Sequence, residues 1–224
     1  MVRHFCPPAG RSALIFCALL GTLLVSPKVR AECPGMGGVP NSDVPCGITL
    51  VGTTGGIADP LGEFTIVLRD LAFNPAPGCE VMIDFGACDP DIRISMNQPH
   101  PGLRVECDAN GARVFATTDA TGTIRARIVG AATPRATAAG YKCAAIYGAG
   151  QMLGTINVAA CDLDGGGGAN PSDISWFLVD LFDGDFEGRS DYNCSNTISP
   201  TDLSLLLRLT LGSGSVNSGG AYCQ

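Results

Sequence analysis

Two stretches of this chain, 162–173 and 191–202, carry the same order of oxygen-bearing side chains, displaced by 29 residues. A repeat this short and this regular constrains the chain to fold the two segments alike, each as a loop leading into the element that follows it. In the first, Asp162, Asp164, Asn170 and Asp173 fall at positions 1, 3, 9 and 12 of a twelve-residue loop, and Gly168 offers a backbone carbonyl at position 7. In the second, Asp191, Asn193, Ser195, Ser199 and Asp202 fall at positions 1, 3, 5, 9 and 12, with the carbonyl of Thr197 at position 7. Gly167 and Asn196 hold the sharp turn at position 6, where a left-handed backbone is needed and glycine or asparagine supplies it. Calcium is a hard cation that takes six to eight oxygens, and a tight loop of alternating oxygen side chains wraps one ion. The pattern therefore implies two calcium sites. The second has only two carboxylates, Asp191 and Asp202, and should bind more weakly. Gly166, at position 5 of the first loop, has no side-chain oxygen, so a water would fill that place.

Each loop runs into a short apolar helix. Asn170 and Ser199 are good N-caps, and Pro171 and Pro200 suit the first helical position. Ile174, Phe177, Leu178, Leu181 and Phe182 keep helical spacing, as do Leu203, Leu206, Leu207 and Thr210. Trp176, the only tryptophan, lies in the first of these helices. Asp183–Ser190 reads as a solvated linker between the repeats. Ile198, at position 8, is placed to pack one loop on the other. A module of this size has a small core and needs its calcium, or a disulfide, to hold.

The segment from Cys161 to about Leu211 resembles the dockerin family, in which two loop-plus-helix repeats bind calcium and a helix face docks onto cohesin domains. The resemblance implies that Pro171, Ser172, Pro200 and Thr201 are partner-selecting positions. Arg208 is the one basic residue late in a helix, where the family usually carries several.

Upstream the pattern changes to period two. Apolar residues alternate at Ile48/Leu50, Phe64/Ile66/Leu68, Val81/Ile83/Phe85, Ile92/Ile94, Leu103/Val105/Cys107, Val114/Ala116 and Ile124/Ala126/Ile128, with further strands through Tyr141–Tyr147 and Leu153–Val158. Asp108–Gly111 and Asp119–Gly122 read as hairpin loops between consecutive strands. Eight or nine short strands imply a sandwich or barrel. The runs Phe64–Asp70, Pro77–Val81 and Ala116–Ile124 resemble bacterial immunoglobulin-like domains of the invasin and intimin type. The expected fold is thus a mainly β immunoglobulin-like sandwich over residues 32–160, then a small α-helical dockerin-like domain with two calcium loops over 161–212 and a tail over 213–224.

Residues 1–31 read as a secretory signal peptide: Arg3, His4 and Arg11, then the apolar run Ser12–Val25, then Val29-Arg30-Ala31 as a cleavage site. The apolar run is shorter than the roughly 20 residues a membrane helix needs. Four of the 14 basic residues lie in this leader, which leaves 10 against 21 acidic and a net charge of −11. That balance argues against nucleic acid and anionic membrane as partners. Nine cysteines follow the leader and, after export, are expected to form disulfides, with one left over. The short spacings favour Cys33–Cys46 and Cys79–Cys88.

No phosphate loop, dinucleotide fingerprint or catalytic constellation is evident, and His100 sits alone between prolines. Three readings follow. The first is a secreted calcium-binding interaction protein that docks to a cohesin-type or other extracellular partner and has no catalysis of its own. The second is a carbohydrate-binding component of a polysaccharide-degrading complex, with Phe115, Tyr141 and Tyr147 as its few aromatic candidates. The third is a structural secreted protein in which calcium only stabilises the fold.

Overall fold

In the computed structural model, residues 33, 39–134, 140–183, 186–212 and 214–223 are described. The leader read over residues 1–31 lies outside them. The alternating segments form strands: β1 (Gly47–Leu50), β2 (Thr53–Thr54), β3 (Ile57–Ala58), β4 (Phe64–Val67), β5 (Glu80–Asp84), β6 (Ile92–Ile94), β7 (Arg104–Asp108), β8 (Gly111–Thr117), β9 (Thr123–Ala126), β10 (Gly130–Ala132), β11 (Ala144–Gly148) and β12 (Gln151–Ala160). The two helices are α1 (Pro171–Phe182) and α2 (Pro200–Leu211).

Six strands make one sheet that curls into half a barrel, in the order β1-β12-β11-β5-β8-β7. Its pairings are antiparallel except β1 with β12, which run parallel with Gly47 opposite Asn157 and Leu50 opposite Ala160. The ribbon of β4 and β9 lies over this sheet, so that Phe64, Ile66 and Ile124 face Val81, Ile83 and Val114. Alternation places these side chains inward because successive strand residues point to opposite faces.

The last five residues of β12, Ile156–Ala160, are all buried. A strand covered on both faces reads as a continuous apolar run, and here the second cover is the helical segment. Phe177 of α1 and Leu206 of α2, both fully buried, belong to the same apolar core as Ile48, Phe85, Ile146 and Val158.

The expected fold class is corrected by this arrangement. From residue 31 onward the chain forms one compact unit. The β part is a single curled mixed sheet with two-stranded ribbons, where an immunoglobulin-like sandwich would have two facing antiparallel sheets. A separate C-terminal dockerin domain is not seen. The physical reason is that Phe177 and Leu206 are buried in the core they share with Ile48, Ile146 and Val158, so the two helices have no separate core of their own.

Three local expectations also change. Asp108–Gly111 does close a hairpin between β7 and β8, but Asp119–Gly122 crosses from β8 to β9, which pairs with β4 instead. The Asp119 carboxylate accepts from the backbone N–H of Thr121 and Thr123, which holds that crossing in a tight loop. The segment read as a solvated linker is buried at Glu187, Gly188, Arg189 and Ser190. The disulfides join distant residues: Cys33–Cys79, Cys46–Cys194, Cys88–Cys143 and Cys107–Cys223, with Cys161 free and buried. Cys79 and Cys88 cannot meet because β5 lies between them and extends at about 3.4 Å per residue.

Candidate metal centre

Loop one begins where β12 ends. Asp162 is fully buried and accepts backbone N–H groups with both oxygens: Gly166 on Oδ1 at 3.0 Å, and Gly167 and Gly168 on Oδ2 at 3.0 and 2.8 Å. Asp164 accepts the N–H of Gly166 at 2.7 Å. Asp173, also fully buried, takes Leu163 and Asp164 on Oδ1 and the N–H of Asn170 on Oδ2 at 2.7 Å.

Loop two repeats six of these seven bonds; the one from Gly168 has no counterpart at Thr197. Asp191 accepts Ser195 on Oδ1 at 3.0 Å and Asn196 on Oδ2 at 2.9 Å. Asn193 accepts Ser195 at 2.8 Å. Asp202 takes Tyr192 and Asn193 on Oδ1 and Ser199 on Oδ2 at 3.0 Å. The turn residues Gly167 and Asn196 have φ of +102° and +58°, the left-handed backbone that the position requires. In both repeats the last aspartate is the N3 residue of a capping box, answering Asn170 before α1 and Ser199 before α2. One residue thus closes the loop and starts the helix.

Carboxylate oxygens of Asp162, Asp164 and Asp173 lie within 4.8 Å of one another. Among the described residues none of the three forms an ion pair with lysine or arginine. Burial pushes Asp173 up to about 6, against the pull of the Asn170 and Leu163 N–H groups, and the neighbouring Asp162 and Asp164 add to the rise. Burial also raises Asp191, opposed by the N–H groups of Asn196 and Ser195. Buried like charges are tolerated when they coordinate a metal. The donor set here is all hard oxygen, with no sulfur or imidazole, which fits calcium or magnesium in preference to zinc or copper.

Comparison with family models, with curated proteins and with solved structures returned no match. The dockerin and immunoglobulin-like resemblances therefore rest on the quoted motifs alone.

The remaining positions are placed as follows. The carbonyl of Gly168 accepts the Asn170 side-chain amide at 2.9 Å, and that of Thr197 accepts the Ser195 hydroxyl at 2.9 Å, so each position-7 oxygen is turned toward its own loop. Pro171, Ser172, Pro200, Thr201 and Arg208 are exposed. Ser172 is engaged within its own loop, since its hydroxyl donates to the Asp164 carboxylate and also lies 2.8 Å from Asn170 Oδ1. Ile198 packs on the main core, and the N–H of its counterpart in loop one, Ala169, donates to Ser215 in the C-terminal tail. Of the aromatic candidates, Phe115 lies under the Arg104 guanidinium and Tyr141 meets Phe186 edge-on.

Two residues outside the loops were not legible in the sequence. Ser218 donates its hydroxyl to Asp162 Oδ2, and Asn157 of β12 reaches Asp191 Oδ2 at 3.5 Å. Each first-position aspartate thus meets a side chain from a distant segment. Only the spacing of an isolated Ser or Asn could have hinted at this, and such residues are common in any tail or strand.

Proposed function

We propose that this chain is an exported calcium-binding protein in which two calcium loops fasten a helical pair onto a disulfide-bonded β body. The observation that carries the reading is the repetition of one hydrogen-bond set, 29 residues apart, around carboxylates with hard-oxygen neighbours. Asp162, Asp164, Asn170, Asp173 and the Gly168 carbonyl would hold the first ion. Asp191, Asn193, Ser195, Ser199, Asp202 and the Thr197 carbonyl would hold the second. Calcium would supply positive charge to buried carboxylates that have no basic partner among the described residues. The leader-like start of the sequence and the four disulfides support export. Among the described residues no helix is long and apolar enough to cross a membrane.

The stabilising role is favoured over a free docking module because the loops are tied to the β body. Cys194 of loop two is bonded to Cys46, and the Tyr192 hydroxyl donates to the carbonyl of Ala160 at 2.7 Å. Calcium titration calorimetry on the oxidised chain without its leader tests the reading. Two binding events are expected, the first lost in Asp162→Ala and the second in Asp191→Ala. A chain that takes up no calcium at millimolar concentration would overturn it.

A second reading, docking to an extracellular protein, is supported by one feature. Leu178, Val179 and Phe182 of α1 are exposed on adjoining positions, Phe182 at 79%. Retention on an immobilised cohesin domain, lost in Phe182→Glu, would favour it; no retention either there or on an insoluble polysaccharide would leave the stabilising role.

A further inference from the structure

The C-terminal segment 214–223 runs across loop one as a strap. The N–H of Ala169 donates to the carbonyl of Ser215, and the N–H of Ser218 donates to the carbonyl of Gly167. The approach is so close that a side chain on Gly168 would meet the Val216 carbonyl at 2.2 Å. Inside this contact the Ser218 hydroxyl, fully buried, bonds to Asp162 Oδ2 and lies 2.7 Å from the Tyr222 hydroxyl. The strap is held at its other side by mutual backbone bonds between Thr53 and Asn217, by Ser215 on Asp59, and by the Cys107–Cys223 disulfide.

We infer that the strap is part of the first calcium site, with Ser218 as a positioning residue that orients Asp162 toward the ion and Tyr222 orienting Ser218 in turn; this rests on the calcium reading above. Outer-shell partners of metal-binding carboxylates fix their orientation, and losing one typically costs ten- to a hundredfold in affinity. Calcium pulls on Asp162, and Asp162 is bonded to the strap, so occupancy of loop one also fixes the strap. Among the described residues the C-terminal strap does not reach loop two, which is tied to the β body by the Cys46–Cys194 disulfide instead. Its Asp191 is met by Asn157 from a strand held inside the sheet. Strap residues Asn217, Gly219 and Gly220 form one wall of a groove of about 490 Å³ whose other walls include Thr53, Met96 and Gln98. Calcium in loop one therefore sets the position of that wall.

The test combines calorimetry with amide hydrogen exchange on the intact oxidised chain, with calcium chloride and with chelator. Ser218→Ala should weaken binding at loop one by about tenfold and leave loop two unchanged. Tyr222→Phe, which keeps the ring and its packing, should weaken loop one by a smaller factor. In the unmutated chain, calcium should slow exchange at the Ala169 and Ser218 amides at least tenfold. If both variants leave the ratio of the two affinities unchanged, or if loop one takes up calcium while exchange in the strap stays the same, the inference is wrong and the calcium reading stands. Absence of any calcium binding overturns both.

Discussion

The guanidinium of Arg189 meets both carboxylate oxygens of Asp180, Nε to Oδ2 at 2.9 Å and Nη2 to Oδ1 at 2.6 Å, with the two side chains 3% and 1% exposed. The same guanidinium donates to the carbonyl of Thr133, beside β10, and Ser190 adds its hydroxyl to Asp180 at 2.6 Å. This cluster joins α1, the segment between the loops and the β body. A bidentate pair with its other donors satisfied holds its geometry, but removing one partner strands a buried charge.

Asp180→Ala should therefore cost about 3–5 kcal/mol of unfolding free energy. The double variant Asp180→Leu/Arg189→Met should cost less than the two single changes together, because neither member of the pair is left buried without the other. Urea denaturation at saturating calcium measures both. A loss below about 1 kcal/mol for Asp180→Ala would mean that the pair is solvated in solution.

Because Phe177 and Leu206 share one core with the sheet, helices and strands should unfold together. Trp176 fluorescence reports α1, and far-ultraviolet circular dichroism reports the whole secondary structure. The two melting curves should coincide, and Phe177→Ala should lower both by a destabilisation of about 3–5 kcal/mol. An earlier, separate Trp176 transition would restore the two-domain picture.

Cys161 is fully buried, and burial pushes its thiol up to about 12. Thiol titration of the native, oxidised chain without its leader at pH 8 should find almost no reactive group. In denaturant without reductant it should find one per chain, and non-reducing electrophoresis should show monomer. A covalent dimer would mean that the ninth cysteine pairs between chains.

The folded-state value of Asp173 is raised, to about 6. Its contribution to stability without calcium is therefore fully present below about pH 4, the ordinary carboxylate value, and is lost as pH rises through about 6. In calcium-free buffer, replacing Asp173 by Asn should remove that part of the fall in melting temperature between pH 4 and pH 7. With calcium the dependence reverses, since protons compete with the ion: affinity at loop one should drop up to about tenfold per pH unit below about 6. Calorimetry at pH 5 and pH 7 checks this, and equal affinities would show that Asp173 is not a ligand.

Much of the candidate site was legible before the fold. The capping residues Asn170 and Ser199 and the positive-φ turn residues Gly167 and Asn196 appear where the sequence places them, because each depends on partners a few residues away. The strand positions were legible for the same kind of reason, since period-two burial is a local pattern. The error at Asp119–Gly122 is instructive. The turn chemistry was right, but a turn does not say which strand the chain will pair with next.

By itself, the sequence determined the short-range chemistry of this protein: two oxygen-rich loops 29 residues apart, each closed by an aspartate that also starts a helix, and a series of alternating strands. Tertiary structure alone decided that Cys46 would bond Cys194, that Arg189 would be buried against Asp180, that Ser218 would reach Asp162, and that the helices would join the sheet's core rather than form their own. The physical reason is range. A cap or a turn is settled by hydrogen bonds between near neighbours, whereas Ser218–Asp162 and Cys46–Cys194 join residues 56 and 148 positions apart, and the Arg189–Asp180 pair, though only nine apart, is buried only because the β body closes over it at Thr133.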